Sequence, residues 1–121
     1  MSQNTTPIKI VLYGVLVYDL LGTLRAKIST PATIIRLKEN APSEELAEHL
    51  LDADVLIALK YQNMPPAPRM GLLQIPGAGT DQINFEEVPP LATVCNAYGH
   101  DVAGGEYVLL AMLAWCHDFI P

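Results

Sequence analysis

Residues 8–17 read Ile8-Lys9-Ile10-Val11-Leu12-Tyr13-Gly14-Val15-Leu16-Val17, an apolar, β-branched run whose length and composition suit a strand buried on both faces of a parallel sheet. Gly14 marks its expected end. Asp19 then stands as a helix N-cap ahead of Leu20, Leu21, Leu24 and Ile28, whose spacing draws one apolar stripe, and Pro31 interrupts that helix after Thr30. Thr33 to Leu37 is the next strand. Pro42-Ser43-Glu44-Glu45 supplies a capping Ser and two carboxylates that oppose the positive end of a helix dipole, with Leu46, Ala47, Leu50 and Leu51 as the buried face.

The pattern continues outward in the same alternation. Asp54 to Leu59 is a third strand, followed by a proline-rich stretch at 63–68 that precludes regular pairing and leaves room for a short helix between Pro66 and Met70. Leu72 to Ile75 is a fourth, running directly into Pro76-Gly77-Ala78-Gly79-Thr80-Asp81, and Val94 to Asn96 is a fifth after Pro89-Pro90. A last helix begins near Tyr98 or Gly99 and extends to about His117. Strands alternating with helices predict an α/β fold: a flavodoxin-like, three-layer domain with a mostly parallel sheet of about five strands. In such sheets ligands lie beyond the carboxyl ends of the strands.

The chain has 121 residues, half of them hydrophobic and 17% charged, which is enough apolar material for one core and too little charge for a disordered chain. Its net charge of −6, without a Lys/Arg cluster, provides no electrostatic footprint for nucleic acid or anionic lipid. Small molecules or protein surfaces are the expected partners. Cys95 and Cys116 lack metal-ligand spacing and further ligands, so they read as buried free thiols, and no metal is expected. The polar N-terminus, Met1 to Pro7, has neither the basic region nor the cleavage site of a signal peptide, and the expected location is cytoplasmic.

Two segments concentrate groups suited to chemistry. In the Gly77-Ala78-Gly79 turn, missing Cβ atoms permit positive φ and close approach of backbone amides to a carboxylate or phosphate, although a tight turn without a ligand explains it equally well. The turn fails as a dinucleotide fingerprint because Gln82 occupies the third glycine position. Asn96-Ala97-Tyr98-Gly99-His100-Asp101 gathers amide, phenol, imidazole and carboxylate groups at a strand end; Asn96 is placed to bind a substrate carbonyl or carboxylate. His100 and Asp101 are more simply the start of a helix. No Walker, GxSxG or HExxH motif is present.

Tyr107-Val108-Leu109-Leu110-Ala111-Met112-Leu113-Ala114-Trp115 is apolar all round, whereas a helix outside a lone α/β domain keeps a polar face. Something else is expected to cover it, either a further domain or a second copy. An ending at Phe119-Ile120-Pro121 without a polar tail fits a chain cut between domains.

Leu72 to Trp115 (LLQIPGAGTDQINFEEVPPLATVCNAYGHDVAGGEYVLLAMLAW) resembles the end of the N-terminal domain of the D-isomer-specific 2-hydroxyacid dehydrogenases. The order GxGxD, a Val-Cys-Asn strand end and a helix with Glu-Tyr-Val carries the likeness; upstream only the element order agrees. The resemblance implies a substrate-binding domain at residues 1–97, an interdomain or dimerisation helix at 98–121, and an NAD-binding Rossmann domain absent from this chain. It implies substrate binding by Ala78, Gly79 and Asn96, a structural role for Glu106, and a 2-keto or 2-hydroxy acid as the ligand. NAD or NADP is the cofactor of such an enzyme, with none bound by this chain alone. The family's nucleotide motif and its catalytic Arg, Glu and His have no counterpart here, so no catalytic residue is expected and the chain reads as inactive alone. The alternative is a freestanding module that dimerises or docks through its last helix. Gly104-Gly105 departs from the bulkier residues of the family and permits close approach of a neighbouring backbone.

Overall fold

In the computed structural model, which describes residues 6–14 and 20–119, Lys9 and Asp54 join the first and third strands at their amino ends. The Asp54 amide donates to the Lys9 carbonyl at 2.9 Å, and the Lys9 amide donates to the Asp54 carboxylate at 2.8 Å. From this edge five strands run parallel: β1 (Ile8–Tyr13), β2 (Ala32–Leu37), β3 (Val55–Ala58), β4 (Leu72–Gln74) and β5 (Thr93–Cys95). Their order across the sheet is β2-β1-β3-β4-β5, the flavodoxin-like order, in which the chain adds β2 on one side of β1 and then β3, β4 and β5 on the other. The α/β reading therefore holds. Gly14, at φ +105°, ends β1 as expected from the sequence.

Two helices cover opposite faces. Helix α1 (Leu21–Lys27) places Leu21 and Leu24, with Ile28 just beyond it, on Ile10, Leu12 and Ile57. Asp19, the expected cap, lies outside the described residues. Helix α2 (Ser43–Leu50) packs Leu46 and Leu50 into the larger cluster around Val11, Leu56 and Leu73. Ser43 is its first helical residue and makes no capping bond; Pro42 takes the cap position, its carbonyl accepting from the Leu46 amide at 3.0 Å, and Glu44 and Glu45 stand in the first turn.

No helix forms between Pro66 and Met70. Three prolines within four residues remove the amides that a helical turn needs, and only the Met70 amide closes a turn, onto the Ala67 carbonyl at 3.0 Å. The loop nevertheless does a helix's work: Tyr61, Ala67 and Met70 are at most 2% exposed and pack on the same face as α2. Burial raises the Tyr61 phenol above its ordinary pKa. Tyr61 also bridges to Ile83, so the loops after β3 and β4 are tied together.

The opposite face is only half covered. The cluster under α1 draws on β1, β2 and β3 alone, while Leu72, Gln74 and Cys95 on the same side are half-buried and Thr93 is exposed. Helix α3 (Asp101–Cys116) follows β5 and belongs to neither core cluster. Every residue in it is exposed except Ala114, which is half-buried. Cys116 is accordingly exposed and Cys95 half-buried, so the expectation of two buried thiols is corrected: a thiol is buried only where its element is, and α3 is not. No helix among the described residues is long and apolar enough to cross a membrane.

Candidate functional site

The carboxyl ends of β4 and β5 meet through backbone hydrogen bonds that extend the parallel ladder beyond both strands. The Ile75 amide donates to the Cys95 carbonyl at 2.7 Å, and the Ala97 amide donates to the Gly77 carbonyl at 3.0 Å. Between these rungs the Asn96 side-chain amide donates to the Ala78 carbonyl at 3.0 Å. The three residues singled out from the sequence, Ala78, Gly79 and Asn96, thus occupy one exposed patch at the end of the sheet where ligands of such folds lie.

Asn96 spends its amide on the turn. In this state it fixes the Gly77–Gly79 backbone against β5 rather than presenting that NH2 group outward. Among the described residues, no backbone carbonyl accepts from the amides of Ala78 or Gly79. They are donors available to an anion.

Neither glycine of the turn uses the positive φ that a missing Cβ permits. Space is the reason for glycine here. A Cβ on Gly77 would stand 3.3 Å from a methyl of Leu59, and one on Gly79 would stand 2.7 Å from an Asp81 carboxylate oxygen. No local pattern signals that second contact, since it depends on the chain folding back two residues later. Its electrostatic consequence is adverse: a carboxylate against Gly79 repels an anion arriving at the same amide.

His100 precedes α3 and Asp101 lies in its first turn. Both are exposed, and neither makes a side-chain hydrogen bond or ion pair among the described residues, so no acid/base pair is assembled there. No group of three or more His, Cys, Asp or Glu side chains among the described residues is disposed to hold a metal ion. A hollow of about 320 Å³ that the sequence did not suggest lies at the end of β2, lined by Arg36, Lys38, Asn40, Pro42 and Glu45 among others. Its lining mixes two cations, Arg36 and Lys38, with one carboxylate, Glu45. Elsewhere, Lys9 pairs with Asp52 and holds that carboxyl below its ordinary value, mainly by hydrogen bonding.

The fold and this patch define a class, the parallel α/β domains with a ligand edge at the strand carboxyl ends. No family model, curated protein or solved structure matches the chain.

Proposed function

We propose that this chain is the substrate-binding portion of an NAD(P)-dependent D-2-hydroxyacid dehydrogenase, with hydride transfer residing in a nucleotide-binding domain outside these 121 residues. The observation that supports the reading best is the junction of the Ala78 carbonyl with the Asn96 amide, which joins the two motifs of the family resemblance into one patch with unengaged backbone donors. The ligand is a small 2-keto or 2-hydroxy acid whose carboxylate takes the amides of Ala78 and Gly79. The compartment is cytoplasmic.

Titration with glyoxylate or pyruvate, followed by amide NMR, tests the site. Shifts are expected at Ala78, Gly79 and Asn96. Asp81→Asn removes the repelling carboxylate beside Gly79 and is expected to tighten binding about twofold to fivefold, in the range of a screened surface charge interaction. Millimolar acid that leaves all three amides unmoved in both proteins contradicts the assignment.

The catalytic half of the proposal has its own outcome. The purified chain is expected to oxidise no NADH or NADPH with any 2-keto acid, because the proposed role has no nucleotide site within it. Turnover abolished by an active-site inhibitor and proportional to protein concentration would overturn it.

A second reading rests on a different observation, the exposed apolar helix α3: a freestanding module that associates through that helix. Seven of its large apolar residues, Tyr107, Val108, Leu109, Leu110, Met112, Leu113 and Trp115, are each 54% or more exposed.

A further inference from the structure

Among the described residues, nothing packs against the two glycines of α3 closely enough to require them. Cβ atoms built at Gly104 and Gly105 meet no atom within 4 Å, and neither residue has positive φ, so alanine would fit both positions. Glycine is among the poorest helix formers. Two in succession therefore point to a body outside the chain that needs the space a side chain would fill.

The rest of the helix says what that body is. At 3.6 residues per turn, Gly104, Gly105, Val108, Ala111, Met112 and Trp115 share one side of α3, and Glu106, Leu110, Leu113 and His117 share the other. Glu106 is the only Asp, Glu, Lys or Arg between Asp101 and Asp118, and it lies on the side away from the glycines. The glycine side is thus uncharged from Gly104 to Trp115, with Asp101 on the same side in the first turn. It carries a shallow apolar groove of about 430 Å³ lined by Tyr107, Val108, Ala111, Met112, Trp115 and Cys116.

This side also tapers. Small residues occupy its first half and Met112 and Trp115 its second. A parallel pair would set Trp115 against Trp115 and leave a void between glycines, whereas an antiparallel pair sets each Trp115 level with the partner's Gly105, and each Val108 level with the partner's Met112. Opposed helix dipoles favour the same direction. With Val108 at 54%, Met112 at 61%, Tyr107 at 72% and Trp115 at 86% exposure, two such surfaces bury on the order of 1,000 Å², the lower end for a specific interface.

We infer that α3 is a self-association surface, and that its occupant is a second copy of this chain packed antiparallel, with Trp115 seated in the hollow over the partner's Gly105. The inference deepens the second reading above and rests on it. It requires nothing of the ligand patch at Ala78.

Sedimentation of the full chain and three variants decides the matter. Wild type is expected to be a dimer. Gly105→Leu fills the hollow with a better helix former and is expected to weaken the dimer about 10- to 100-fold by overpacking. Adding Trp115→Ala to Gly105→Leu moves the large side chain to the other helix and is expected to recover most of that loss. Leu110→Gln, on the opposite side, is expected to change affinity less than about threefold. The variants lie outside both core clusters, and far-UV circular dichroism checks that the sheet persists. A dimer weakened by Leu110→Gln and indifferent to Gly105→Leu would overturn this packing while leaving association through α3 intact. A wild-type monomer at roughly 0.1 mM would overturn both, since affinity weaker than that is not a specific dimer.

Discussion

Leu73→Ala will lower the free energy of unfolding by about 3 kcal/mol, within the range for truncating a fully buried leucine, and move the urea midpoint down by about 2 M for a domain of this size. Leu73 is fully buried at the centre of β4, in register with Leu56 on one side and Val94 on the other. Around it lie residues from every layer of the larger cluster: Leu46 and Leu50 of α2, Tyr61 and Met70 of the loop after β3, and Ile83 of the loop after β4. Most of these belong to elements whose positions are set by hydrogen bonds elsewhere, so they cannot collapse into the space and the cavity persists. Against a total of about 5–15 kcal/mol for a domain, such a loss is a large fraction. Leu51→Ala is the control. That side chain is 63% exposed at the end of α2, and its loss is expected to stay within about 0.5 kcal/mol. Equal destabilisation by the two variants would mean that the core does not lie where the sheet places it.

Much of this fold can be read from the sequence because each strand between Ile8 and Cys95 is a short apolar run with turn residues on both sides. Burial on two faces leaves little choice of conformation for such runs. The misread places share one cause, contacts made only after the chain closes. A helix between Pro66 and Met70 was compatible with local spacing, but the fold uses Tyr61, Ala67 and Met70 to cover the sheet without one. The glycines of the 76–79 turn were correctly located, yet their reason is the room taken by Leu59 and Asp81, which no local pattern displays. The ligand patch was visible as two separate motifs. Its unity, through Asn96 and Ala78, depends on β4 and β5 being neighbours, a fact of strand order.

Diluting the protein below its association midpoint will melt α3 and leave the sheet folded. An isolated helix shorter than about 12–15 residues is marginal even when rich in alanine, and at 16 residues α3 is barely past that limit while carrying two glycines. Its first turn has Asp101 in the favourable place, but no side chain caps either end and no basic residue stands in its last turn. Propensity and capping together therefore do not hold it. In proteins most helical stability comes from packing an apolar face, and α3 packs on neither core cluster of its own chain. The stabilising contact has to come from the partner, which makes helix content a function of protein concentration. The effect is large, because α3 contributes 16 helical residues against 7 in α1 and 8 in α2. Ellipticity at 222 nm is expected to lose roughly half of its helical part across the midpoint, since signal scales with hydrogen-bonded helical residues. The urea midpoint of the sheet, reported by near-ultraviolet signals of the buried Tyr61, is expected to stay fixed over the same range. Gly105→Ala provides the opposing case: it improves propensity, adds a single methyl to the hollow, and is expected to make helix content less dependent on concentration. If α3 stays fully helical at every concentration and the chain sediments as a monomer, its stability would have to come from its own sequence after all, and the need for a covering partner would vanish.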